Sequence, residues 1–242
     1  MCEPSEQPQG GIDPHGANLA VLAGRTDRDQ RTFELSYGIF HGTAFCLAPD
    51  VFLTAAHVFK AAEGDGEVAV ARLTPEQHHA QAVADSEIFG HLDLAVLRCP
   101  GLAAQILPFH FEPLPWLEDV CAFGFPFGFE PPVYYLRGFK GHVVTRRGLP
   151  PGPEGPAAYE LSFVPPPGLS GAPLLAAPAP GAFAVVGMIL RHHVAEFRDR
   201  RMELGLALDI SELLPLNSRI LGGTIGERVF PNASGHGLDR PT

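Results

Sequence analysis

Three short segments carry side chains that could do chemistry together. Leu53-Thr54-Ala55-Ala56-His57-Val58 ends an apolar run on a histidine, and His91-Leu92-Asp93-Leu94-Ala95-Val96-Leu97 opens one on an acid. Gly168-Leu169-Ser170-Gly171-Ala172-Pro173-Leu174 holds a serine between glycines. Taken singly, each has an ordinary structural explanation, since histidines border strands, acids occupy turns and Gly-x-Ser-Gly is a turn composition. In the order His, Asp, Ser they supply what acyl transfer needs. A serine hydroxyl is a weak nucleophile at neutral pH, so it requires an adjacent base, and that base requires an acceptor to fix its tautomer. Gly168 and Gly171 can adopt dihedrals closed to other residues, which lets main-chain N–H groups around Ser170 converge on a developing oxyanion. His57, Asp93 and Ser170 are therefore the expected catalytic residues.

The elements that must position them read as short strands. Strand-like runs fall at 18–23, 32–37, 43–47, 51–54, 67–73, 93–99, 119–123, 133–145, 158–164, 173–175, 183–191 and 204–209. Turn signals such as Ala48-Pro49-Asp50 and Gly152-Pro153-Glu154-Gly155 separate several of them. The 27 glycines and 25 prolines among 242 residues favour many short elements joined by tight turns, and 45% apolar residues are enough for one core or for two fused barrels. Helical periodicity is weak until 211–221, where a short terminal helix is expected, limited or kinked by Pro215. Residues 1–16 read as a flexible leader, 17–212 as the folded unit with a proline-rich linker near 100–116, and 213–242 as terminal helix and tail.

Charge and composition exclude several classes. A formal net charge of −10 leaves nothing to neutralise phosphates, so nucleic acid is not an expected partner. The leader lacks the basic and apolar regions of a signal peptide, and no apolar run is long enough to span a bilayer. Cys2, Cys46, Cys99 and Cys121 are widely spread, without the close pairs of a zinc or redox site. His78-His79 and His192-His193 are adjacent pairs, whose side chains leave a strand on opposite faces, so neither chelates as a unit. No metal or cofactor is expected, and a reducing, cytoplasmic compartment is the simplest reading.

With its motifs in place, the chain resembles the trypsin-like serine peptidases, within them the HtrA-like and other intracellular bacterial branches. The resemblance is carried by TAAHV at 54–58, LDLAVL at 92–97 and GLSGAPLL at 168–175, supported by GTAFCLAPDVFLTAAHVF at 42–59 and AFGFPFGFEPP at 122–132. It covers roughly residues 17–212. It implies an all-β fold of two packed six-stranded antiparallel barrels with the active site in the cleft between them. His57 and Asp93 would come from the first barrel, Ser170 from the second, and the amides of Gly168 and Ser170 would form the oxyanion hole. Val58 and Gly42 stand where the digestive members pair cysteines, so that disulfide cannot form. Leu169 stands where those members carry the aspartate that pairs with a new N-terminus after zymogen cleavage. Control thus falls to another device, such as a regulatory partner protein in a larger assembly or a loop rearrangement. Ala172 replaces the glycine usual after Ser-Gly.

The resemblance also places Val164 at the base of the primary pocket, with Leu190, Arg191 and His192 along its wall. Val164 and the stretch 188–190 are apolar, so cleavage after medium-sized apolar residues is expected; Arg191 or His192 turned into the pocket would select acidic ones instead. The expected activity is that of a serine endopeptidase acting on proteins or peptides. The rivals are a catalytically silent scaffold that binds protein, and an esterase. The second lacks the Gly-x-Ser-x-Gly elbow and the Ser, acid, His order of α/β-hydrolases.

Overall fold

The computed structural model describes residues 18–24, 39–73, 78–102, 104–126, 136–149, 154–179, 182–197 and 200–231. The leader, the strand expected at 32–37, Phe127, Phe129 and the tail beyond Pro231 lie outside the described residues.

The first sheet comprises β1 (Asn18–Gly24), β2 (Ile39–Ala48), β3 (Val51–Ala55), β4 (Glu67–Leu73), β5 (His78–Ala82), β6 (Asp85–Phe89) and β7 (Leu94–Arg98). Their spatial order is β5-β4-β1-β2-β3-β7-β6. Strand β3 buries all five of its residues and β7 its first four, which is why both read as unbroken apolar runs in the sequence. Where a closed barrel of six strands was expected, the described residues form a sheet of seven. Its outermost strands, β5 and β6, are consecutive in the chain, joined by Val83 and Ala84, whose amides donate to Val68 O and Arg98 O at 2.9 Å each. These two residues, outside either strand, separate β5 from β6.

Helix α1 (Ala56–Asp65) follows β3 without a break. Buried Val58, Phe59 and Ala62, spaced three and four apart, pack it against the sheet, and it ends at Gly66, whose N–H donates to Ala62 O. The sequence reading has no helix here, because the apolar run of β3 continues into it and masks the change of period.

The second sheet closes as expected into a six-stranded barrel in the order β10-β13-β12-β11-β8-β9. Its members are β8 (Asp119–Gly124), β9 (Arg137–Gly148), β10 (Ala157–Leu161), β11 (Pro173–Ala179), β12 (Ala182–Phe197) and β13 (Arg200–Asp209). The connecting segment is stitched to both sheets. Ile106 bridges to Cys46 in β2, and Val185 in β12 exchanges hydrogen bonds with Pro108 O (2.8 Å) and the His110 amide (2.9 Å). One apolar cluster runs through the contact, with Leu53 and Leu94 from the first sheet, Val58 from α1, and Leu175, Met188 and Leu190 from the second sheet.

After β13, Asp209 accepts from the Ser211 amide (2.9 Å) and caps a 3-10 turn at Ile210–Leu213. The helix expected over 211–221 does not form. Pro215 has no amide to continue one, and the chain instead makes a small hairpin, β14 (Asn217–Ser218) and β15 (Gly223–Thr224), before helix α2 (Ile225–Val229). Buried Ile210, Leu213 and Ile225 anchor this extension, and the Phe230 ring lies 4.8 Å from both Phe109 and Phe111. Arg219 adds a bidentate pair to Asp85 (2.8 Å twice) at an exposed position, where ion pairs contribute little. No helix among the described residues is long and apolar enough to cross a membrane.

Cys46, Cys99 and Cys121 are free thiols. Burial pushes Cys46 up to about 11 and Cys99 up to about 12, so neither forms thiolate at neutral pH. At pH 8 a soluble thiol reagent is expected to leave both unmodified in the native protein and to label both in denaturant. Peptide mapping that found either labelled within minutes in the native state would contradict this packing.

Candidate active site

The transition from β3 to α1 places His57 in the first turn of the helix, with its ring 46% exposed. Nothing within the helix caps its N-terminus, because the cap position is Ala55. Asp93 supplies the missing acceptors from a distant part of the chain. Its carbonyl accepts from the Ala56 amide (2.8 Å), its Oδ1 from the His57 amide (3.0 Å), and its Oδ2 lies 2.7 Å from His57 Nδ1. A carboxylate only accepts, so the neutral ring carries its proton on Nδ1 and presents the Nε2 lone pair outward. The negative charge also sits where the helix dipole favours it.

Asp93 reaches this position by a left-handed conformation (φ 52°, ψ 41°), which closes the 3-10 turn Gly90–Leu92. Aspartate tolerates that region better than most residues. Immediately beyond it, Leu94 to Leu97 are buried in β7. The acid is therefore pinned between a turn and the core.

Ser170 lies on the turn before β11, between Gly168 (φ 93°) and Gly171 (φ 84°). The turn is anchored through its carbonyls and three amides. The Leu169 amide donates to Pro166 O (3.1 Å), the Gly171 amide to Ile189 O (2.8 Å) and the Ala172 amide to Leu169 O (3.0 Å). The Gly168 and Ser170 amides have no acceptor among the described residues. These are the two groups expected to hold an oxyanion.

The turn is pressed against the first sheet. A methyl group on Gly171 would collide with Thr43 O and Thr54 Oγ1 and stand 3.0 Å from Ala55 N. One on Gly42 would meet the Val58 side chain at 2.7 Å and Ser170 O at 3.0 Å. Gly171, next to Ser170, is thereby held against Ala55, two residues before His57. The Ser170 hydroxyl donates to Leu190 O at 2.7 Å. That carbonyl belongs to a bulge, because Ile189 pairs with Ala207 and Arg191 with Leu206, leaving Leu190 with no residue opposite.

Between the sheets opens a cleft of about 540 Å³. Its walls are His57, Asp93, Gly90 and His91 on one side and Leu149, Leu190 and Arg191 on the other. Of the residues expected to contact substrate, Leu190 and Arg191 line this cleft. Val164 is 42% exposed and not part of its wall, while Met188 and Ile189 are core residues. His192 is partly exposed, with Nε2 4.0 Å from Glu203 on the neighbouring strand. His91 and Leu149 are cleft residues that the sequence reading lacks. The spacing His91-x-Asp93 was available as a signal; Leu149 is delivered by the length of the β9–β10 hairpin and had none. No group of three His, Cys, Asp or Glu side chains that could hold a metal ion occurs among the described residues.

Among solved structures, the chain is similar to the active form of the Rv3671c protease from M. tuberculosis, at 22% identity and a TM-score of 0.59, covering 83% of this chain and 78% of that one. It is similar to the inactive form of the same protease at 21% and 0.56, over 82% and 86%. Deg5 matches at 18% and 0.56, over 82% and 85%. At such identities these likenesses establish the fold. None of the curated proteins compared with the chain matches it. The trypsin-like peptidase domain family matches residues 42–188, more than half of the sequence and inclusive of His57, Asp93 and Ser170. On that match, the chain belongs to the trypsin-like peptidase family.

Proposed function

We propose that the protein is a serine endopeptidase that cleaves protein or peptide substrates through an acyl-enzyme intermediate. The observation that carries this reading is the double attachment of Asp93 to His57, through the ring at 2.7 Å and the amide at 3.0 Å, beside a serine turn with two unused amides. Ser170 Oγ turns about its Cα–Cβ bond from Leu190 O toward His57 Nε2, exchanging one hydrogen bond for another. His57 takes the proton as Oγ attacks the scissile carbonyl, Asp93 stabilises the imidazolium, and the Gly168 and Ser170 amides receive the oxyanion. His57 then gives the proton to the leaving amine, and water repeats the sequence to release the acid.

The apolar faces of Leu149 and Leu190 suit an aliphatic side chain next to the reacting centre, and Arg191 at the same wall suits an acidic neighbour. The bond from Ser170 Oγ to Leu190 O favours a second reading, in which the chain is a catalytically silent member that binds protein in the same cleft.

Kinetics on the two polar partners separate these readings. Ser170→Ala is expected to lower kcat by about 10⁶. Losing the bond to Leu190 costs about 1 kcal/mol at most, a shift of about 2–4 °C in Tm. A peptidase assay in which Ser170→Ala kept wild-type rates would remove the serine from the mechanism. Asp93→Asn should reduce kcat by about 10⁴ near neutral pH, because the amide stabilises the wrong ring tautomer. Turnover within a few-fold of wild type would show that another group orients His57.

A further inference from the structure

Thr43, in β2, is fully buried, and its hydroxyl and amide reach across the gap between the two sheets. Its Oγ1 donates to Gly168 O at 2.8 Å and accepts from the Phe125 amide at 3.2 Å. Its amide donates to Ser170 O at 2.9 Å, and its own carbonyl accepts from Thr54 Oγ1 at 2.7 Å. Space for the hydroxyl is made by Gly124, where a Cβ would stand 2.7 Å from Thr43 Oγ1 and 2.7 Å from Leu169.

These contacts fall on alternate peptide groups of the serine turn. The group joining residues 168 and 169 is held at its carbonyl by the Thr43 hydroxyl and at its N–H by Pro166 O. The group joining 170 and 171 is held at its carbonyl by the Thr43 amide and at its N–H by Ile189 O. The two unused amides, of Gly168 and Ser170, belong to the peptide groups that flank the 168–169 group. Gly168 has φ 93° and no Cβ to restrict it, so the direction of its N–H depends on where its carbonyl is fixed.

We propose that Thr43 is the positioning residue that sets the oxyanion-binding conformation of the 168–171 turn, its hydroxyl fixing Gly168 and its amide fixing Ser170. The proposal rests on the reading of Ser170 as nucleophile. It assigns to one buried side chain of the first sheet the alignment of donors on the second. The amide contact survives any substitution other than proline, so the hydroxyl is the part that mutation can isolate.

Thr43→Val keeps the shape and removes the hydroxyl, Thr43→Ser keeps the hydroxyl, and Thr43→Ala leaves room for a water. The readout is inactivation by an alkyl fluorophosphonate, which needs no known substrate, resolved into the maximal rate and the half-saturating concentration. A misaligned oxyanion donor is worth about 10²–10³ in rate. Thr43→Val is thus expected to lower the maximal rate by about 10² with half-saturation within about threefold, and Thr43→Ser to restore the rate to within about fivefold of wild type. Should Thr43→Val fail to fold, as read by thermal unfolding, Thr43→Ala against Thr43→Ser decides on the same split. Wild-type rates in whichever hydroxyl-free variant folds would overturn the role of Thr43 alone. So would a loss that Thr43→Ser fails to restore. A wild-type protein that does not react would overturn the nucleophile reading and this proposal with it.

Discussion

At Gly171 the backbone of the second barrel meets Thr43 O, Thr54 Oγ1 and Ala55 N of the first sheet with no room for a methyl group. The same closeness recurs at Gly42, bounded by Val58 and Ser170 O. Around this contact the two halves of the site acquire their relative position. β3 delivers Thr54 and Ala55 to the contact and passes directly into α1, so His57 is tied to it by two covalent steps. The turn that carries Ser170 is its other surface. Glycine is required at 171 for two reasons, a positive φ of 84° and the absence of volume, and either would exclude a larger residue.

Asp93 shows how one residue can serve fold and site together. A helix beginning at alanine leaves its first amides without acceptors, which is costly where water is limited. Asp93 accepts from two of them and, with its second carboxylate oxygen, orients the ring on the same turn. Its left-handed backbone is stabilised by Leu92 and Leu94 on either side, both buried. The acid therefore has little freedom to leave the histidine without uncapping α1.

The parts legible in the sequence are those whose information is local. The strand expected at 67–73 is β4 to the residue, and those expected at 51–54 and 119–123 differ from β3 and β8 by one residue. His57, Asp93 and Ser170 each sit in a contiguous motif, and the structure places the first two in direct contact. Helix α1 was hidden because its buried Val58, Phe59 and Ala62 extend an apolar run already assigned to a strand. The separation of β5 from β6 turns on hydrogen bonds from Val83 to β4 and from Ala84 to β7, which no window of sequence contains. Thr43 was unremarked for the same reason: a threonine in a strand is ordinary, and its partner Gly168 lies 125 residues away. Val164 was placed by counting back from Ser170; it is 42% exposed and does not line the cleft with Leu190 and Arg191.

In the proposed mechanism Ser170 becomes covalently acylated and the His57–Asp93 pair drives the step. The most direct test is the intact mass of protein quenched in acid during turnover of a short N-acylated peptide p-nitrophenyl ester ending in leucine, followed by peptide mapping. The expected result is a mass increase equal to the acyl group, confined to the fragment that contains Ser170 and lost in Ser170→Ala. Ester turnover with no adduct, or with the adduct on another residue, would contradict it.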